Sequence, residues 1–207
     1  MSSSYPPARP DAPAGTARPP RRWVPVWIVC AVILVSVLGG FVTAAALPAP
    51  ATRVVSVDDR VTVAPAPGWA LVGQDRVTLP DPSGGTLTGA FAQLSRGSGS
   101  LDVLAVQGLD ADADGAAVYY AREILRSQLA RLTVSGLEHV VLRSGLQAAR
   151  FGYIGTEPEG GAAIEGSVTV VVGPSGTIAV FDGWAFEGQL ELIAEDLARM
   201  IDSAEVR

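Results

Sequence analysis

IEGSVTVVVGPSGTIAVF, residues 164–181, is the stretch whose reading decides the fold. Two apolar runs, Ile164–Val172 and Thr177–Phe181, flank Gly173-Pro174-Ser175-Gly176. Proline presets a turn backbone and glycine admits positive φ, so two such runs joined by such a loop pair as an antiparallel hairpin. The same signal recurs upstream, where Leu87–Leu94 and Leu101–Val106 flank Arg96-Gly97-Ser98-Gly99.

Further short strands are expected at Val61-Thr62-Val63, Trp69–Val72, Val77–Leu79, Val140–Leu142 and Ala149–Ile154. They are set off by Ala64-Pro65-Ala66-Pro67-Gly68 and by Pro80-Asp81-Pro82-Ser83-Gly84-Gly85. Two segments switch to helical spacing: Val118, Ala121, Leu125, Leu129 and Leu132, and then Leu190, Ile193, Leu197, Met200 and Ile201. Asp114 is the expected cap of the first helix. Hairpins imply antiparallel pairing, so residues 54–207 are read as one α+β domain, a twisted antiparallel sheet with two main helices, preceded by a transmembrane helix.

That membrane helix is read from residues 23–47, WVPVWIVCAVILVSVLGGFVTAAAL, which lie in a chargeless run from Trp23 to Thr52. About 20 apolar residues cross a hydrocarbon core of about 30 Å. Trp23 and Trp27 stand at the edge where indoles favour the headgroup layer. Four arginines against one aspartate leave residues 1–22 at +3, and positive flanks stay on the cytoplasmic side. The expected topology is a cytoplasmic N-terminus, a signal anchor and an extracytoplasmic domain. A cleaved signal peptide would end near Thr43-Ala44-Ala45-Ala46, with cleavage after Ala46, but its apolar core is usually shorter, about 7–15 residues. Ser36, Gly40 and Ala44 share one helix face, the spacing at which small residues let two membrane helices approach; small residues are also simply common there.

Residues 1–22 are dominated by Pro, Ala, Ser and Arg and are read as a disordered tail, with Pro7-Ala8-Arg9-Pro10 able to form a polyproline turn. The Pro-rich linker, residues 48–53, spans about 3.1 Å per residue and holds the domain within about 20 Å of the membrane.

The 207-residue chain carries −6 overall, and beyond residue 22 eleven arginines against twenty acids leave −9. An acidic domain repels phosphate backbones, which argues against nucleic-acid binding. All fifteen basic residues are arginine, a bias of G- and C-rich genomes such as actinobacterial ones that carries no functional weight. Cys30 and His139 are the only residues of their kinds, so there is no disulfide pair and no zinc site of Cys and His ligands.

The order of elements resembles the PsbP/LpqN-like superfamily, which also includes Ran-binding Mog proteins. The resemblance rests on Pro67-Gly68-Trp69, the pair Tyr119 and Tyr120, the strand residues Gly145, Ala148, Arg150 and Tyr153, and the closing Met200-Ile201-Asp202-Ser203. It spans residues 54–207. It implies a protein that binds or stabilises others rather than a catalyst, and it carries over no functional residue.

The sharpest chemical motif is Asp110-Ala111-Asp112-Ala113-Asp114-Gly115, alternating carboxylates that open like a calcium loop. Its twelfth position, where a bidentate Glu belongs, is Ala121, so an acidic turn complementing a helix dipole is the stronger reading. Gly173-Pro174-Ser175-Gly176-Thr177 falls one residue short of a nucleophile elbow and lies in a hairpin. His139 stands at a strand start with no nucleophile beside it. The carboxylate pairs Glu157/Glu159 and Glu195/Asp196 read as solvated faces, and Gly84-Gly85 and Gly160-Gly161 as turns.

No catalytic, cofactor or metal residue is therefore assigned, and no catalysis is expected. The leading expectation is an envelope accessory module with a membrane or envelope protein partner. The second is a carrier or sensor of a lipid or small apolar ligand, which needs a contiguous apolar cavity. The third, an enzyme using only carboxylates, requires two acids converging in a cleft.

Overall fold

The computed structural model describes residues 54–158 and 160–207. The tail, the expected membrane helix at 23–47 with Ser36, Gly40 and Ala44, the linker and Glu159 lie outside the described residues. Among the described residues no helix is long and apolar enough to cross a membrane.

Strands β1 (Val55–Val57) and β2 (Val61–Val63) form a small hairpin. Then follow β3 (Ala70–Asp81), β4 (Gly85–Arg96) and β5 (Gly99–Val106). Helix α1 begins as an α-helix over Ala113–Tyr119, widens to a π-helix over Tyr120–Leu125 and closes on Arg126–Gln128. After it come β6 (Ala130–Val134), β7 (Glu138–Val141), β8 (Gln147–Thr156), β9 (Ala163–Val172) and β10 (Ile178–Phe186). A short 3-10 turn (Leu190–Leu192) leads into α2 (Ala194–Asp202), and β11 (Glu205–Val206) ends the fold.

The main sheet is antiparallel, in the order β3-β4-β5-β10-β9-β8-β6, with β7 also pairing β8. It consists of two consecutive meanders, β3-β4-β5 and β8-β9-β10, joined where β5 meets β10. A second sheet, β1-β2-β11, sits apart.

The central strands are apolar on both faces, so both faces need cover. On one face the small sheet and α2 enclose a core that includes Val57, Val61, Leu94, Leu101, Phe181, Leu197 and Met200. On the other, α1 covers Leu104, Phe151, Val168, Val170, Ile178 and Val180. Strand alternation divides the two sets: Leu101 and Val103 face α2, while Leu104 and Val106 face α1. At Gly183 a Cβ would stand 2.6 Å from Leu197 Cδ1, so the bare backbone of β10 lets α2 lie close to the sheet.

The expected α+β class, both hairpins and both helices are present. Trp69–Val72 and Val77–Leu79, read as separate strands, belong to one long edge strand from Ala70. The second run of the opening hairpin continues past Phe181 to Phe186, in register from Ile178↔Val172 to Phe186↔Ile164.

The first helix differs more. The residues it buries are Ala116, Ala117, Tyr120 and Leu125, whereas Val118 is exposed. The π-helical turn spaces inward residues by five, as Tyr120 and Leu125 show, so a 3.6-residue period drifts off the buried face. Leu129 is already extended, Arg131 takes a positive φ of 50°, and Leu132 lies in β6. The cap is Asp112, whose Oδ1 accepts from the Gly115 N–H at 2.8 Å, not Asp114.

Gly183→Ala is expected to cost about 1–3 kcal/mol by overpacking against Leu197. The double variant with Leu197→Ala should cost clearly less than the sum of the two single changes. Urea unfolding of the four proteins measures both.

Candidate functional site

Asp102 and Asp182 stand directly opposite each other on β5 and β10, on the face covered by α1. Asp182 is buried, and Asp102 is half-buried with its Oδ1 shielded from solvent. The Tyr120 hydroxyl of α1 donates to Asp182 Oδ2 at 3.0 Å, and the Tyr153 hydroxyl of β8 donates to Oδ1 at 2.9 Å. The Trp184 indole N–H donates to Asp102 Oδ2 at 3.1 Å. Among the described residues Asp102 Oδ1 is buried without a hydrogen-bond partner. Neither acid joins an ion pair there.

Local sequence explains how the cluster is held. Tyr153 lies over Gly166 of β9, where a Cβ would stand 2.4 Å from its ring, so only glycine leaves room for the phenol to reach Asp182. Tyr120 opens the π-helical turn of α1.

Burial strongly disfavours charge on both carboxyls. It pushes Asp102 up to about 6, against the Trp184 hydrogen bond and the nearby Gln93 amide. It pushes Asp182 up to about 7, helped by the facing Asp102 and opposed by the two tyrosines. Burial, followed by the negative field of Asp182, holds Tyr120 and Tyr153 well above the usual phenol range, so they remain donors.

Two acids do converge, but in the packed core. Neither lines either of two surface depressions found among the described residues. The larger is a half-open groove of about 310 Å³ between α1 and β6. Its walls carry Ala117, Val118 and Ala121 of α1 against Leu132 and Val134 of β6, with Phe151 from β8. Val118, Val134 and Leu137 expose large apolar side chains there. Arg122 and Arg126, one turn apart on α1, add positive charge and form no ion pair among the described residues. The smaller depression, about 290 Å³, is polar and includes Asp58 and Arg60, which pair with each other.

The residues singled out in the sequence lie elsewhere. The acidic turn is not gathered into a ligand set: Asp112 caps α1, and Asp114 meets the exposed His139 Nε2 at 3.0 Å. Among the described residues no group of three or more His, Cys, Asp or Glu is placed to hold a metal. Gly173 and Thr177 close the β9–β10 turn by a 2.8 Å backbone bond, and Ser175 bonds Thr177 within it. Gly84 and Gly161 are turn residues with positive φ. Of the Glu195/Asp196 pair, Glu195 is exposed as expected, whereas Asp196 keeps only 13% of its side chain exposed. It accepts from the Trp69 indole at 3.1 Å and pairs with Arg96 and Arg199, which ties α2 to the start of β3 and the end of β4. The available signal for Asp102 and Asp182 was a carboxylate inside an apolar run, in LDVLAV (101–106) and VFDGW (180–184).

No protein-family model matches the chain, and no curated protein sequence matches it. Among solved structures it is similar to LpqN, described as involved in cell envelope biogenesis of Mycobacterium tuberculosis. The likeness has a TM-score of 0.42 and 16% identity, over 70% of this chain and 82% of that one. The likeness is distant, and it does not single out PsbP proteins.

The raised acid pKa values fix the sign of the pH response. An Asp held neutral in the fold, but free to ionise at about 3.9 when unfolded, stabilises the fold fully below that value. The contribution is lost as pH rises through about 6 and about 7. Tyr153→Phe removes the donor to Asp182 Oδ1, and it should destabilise the domain by about 1–3 kcal/mol near pH 8. The loss should be smaller near pH 5, where the acid is neutral; urea unfolding at the two pH values measures the difference.

Proposed function

We propose that this chain is a single-pass, membrane-anchored interaction module of the bacterial cell envelope. Its N-terminus is cytoplasmic, its folded domain extracytoplasmic, and it works by binding a partner without catalysis. The observation that carries the reading is the groove between α1 and β6. It combines exposed Val118, Val134 and Leu137 with the two arginines of α1 on a domain otherwise rich in acid. Apolar surface with a few convergent polar groups is what a recognition site requires. The partner expected there presents apolar side chains beside a carboxylate.

A carrier of a lipid or small apolar molecule is the second reading. Small-ligand sites bury about 70–90% of their ligand. The half-open groove favours the first reading, because a protein surface can extend its contact beyond the depression to the exposed Val141 on neighbouring β7. A carboxylate enzyme is disfavoured, since the converging acids line neither depression.

Arg122→Glu with Arg126→Glu should abolish co-purification of the partner from gently solubilised membranes, read by native mass spectrometry. Stability should stay within about 0.5 kcal/mol, as for exposed positions generally. Unchanged partner mass would remove the groove from the interaction. Topology has its own test, because the only native cysteine is Cys30 in the apolar segment. Ser144→Cys, on the exposed β7–β8 turn, should react with a membrane-impermeant maleimide in intact spheroplasts. Reaction only after lysis would reverse the orientation.

A further inference from the structure

We infer that the Asp102–Asp182 pair is a pH-sensitive latch between α1 and the main sheet, fixing how firmly one wall of the groove is held. The latch stands on the geometry of the core; only its consequence for binding rests on the proposed function of the groove.

The two helices are held differently. Helix α2 is anchored by Ile193, Leu197, Met200 and Ile201. Helix α1 covers its face with Ala116 and Ala117, and its larger buried contributions are Leu125 and Tyr120, with Ile124 packed partly buried beside them. Small side chains give little apolar burial, so the polar tie carries more of the attachment. The bond from Tyr120 to Asp182 is the one buried hydrogen bond from α1 to the sheet among the described residues. Its other polar ties, Tyr119 to the Pro80 carbonyl and Asp114 to His139, are exposed.

The neighbours of the pair define its response. From β4 comes Gln93, opposite Asp102; from β10, Trp184; from β8, Tyr153; from α1, Tyr120; and β9 presents Val168 opposite Asp182. None is a cation. Arg150 of β8 is turned to the other face, where it donates to Thr169 at 3.1 Å. Two like charges facing across neighbouring strands, one on buried Asp182 and one on half-buried Asp102, therefore have no counter-ion among these neighbours to relieve them. With protons bound, the pair is compatible with its surroundings. With both protons lost, relief requires water, and the thin alanine packing beneath α1 is where water enters at least cost. Ionisation strengthens the Tyr120 bond itself, but desolvation of Asp182 and the facing charge of Asp102 outweigh it, consistent with the raised pKa values of both acids; acid therefore closes the latch and alkali opens it.

The test is amide hydrogen exchange of the full chain in detergent micelles, without partner, at about pH 5.5 and about pH 8, with rates corrected for the chemical pH dependence of exchange. Peptides from α1 should lose protection relative to peptides from α2 by about tenfold or more at the higher pH. Asp182→Asn cannot ionise and should bring that difference below about twofold; Asp102→Asn, which removes the facing charge, should shrink it too and serves if the first variant folds poorly. Parallel loss of protection in α1 and α2, or an α1 response that survives in the folded variants, would overturn the latch. Because no partner is present, these outcomes are independent of the groove variants. Failure of Arg122→Glu with Arg126→Glu to release a partner would leave the exchange result standing.

Discussion

The structure depends on the need to bury both faces of one antiparallel sheet. Strands β5 and β10 lie at its centre with few solvated positions, and a sheet of that composition is stable only between two covering layers. One cover is assembled from distant parts of the chain: the β1–β2 hairpin begins the domain, and α2 with β11 ends it. The other is the single helix α1, inserted between the two meanders. Close approach of α2 at Gly183 and of Tyr153 at Gly166 shows the same requirement met by removing side chains from the sheet.

The two covers divide the chemistry. The α2 side has a largely apolar core that also holds buried Thr169, which accepts from Arg150, and Asp196, Trp69 and Arg96 tie its margin. The α1 side contains the facing carboxyls of buried Asp182 and half-buried Asp102, and the groove opens between α1 and β6. Such polar groups need satisfied partners or a bound proton. Tyr120, Tyr153 and Trp184 supply most of that satisfaction, leaving one oxygen of Asp102 without a hydrogen-bond partner among the described residues.

Much of the architecture was legible because the turns advertise themselves. Gly173-Pro174-Ser175-Gly176 and Arg96-Gly97-Ser98-Gly99 mark hairpins whatever surrounds them. The second helix was legible because large apolar residues repeat at its true period. The first was misjudged at Val118 and again past Leu125 because alanines carry little periodic signal and a π turn breaks the assumed one. Asp114 was chosen as a cap over Asp112 because three alternating acids offer equal candidates, and only the backbone bond to Gly115 distinguishes them. Asp182 stayed hidden because a carboxylate after an apolar run reads as the end of a strand. Its partner lies on a strand eighty residues earlier, a pairing that spacing cannot reveal. The reading of residues 1–53 stands on composition and charge alone.

The place where the two meanders join has a kinetic meaning. Hairpins within β3-β4-β5 and within β8-β9-β10 close through short loops, whereas β5 and β10 must find each other across the intervening chain. Contacts of that separation are slow to form. Asp102 and Asp182 lie inside that seam, so the slowest pairing of the sheet also brings two acids together and strips their water. The pH at which the chain folds then bears on how readily the two halves of the sheet close, before any helix has docked upon them.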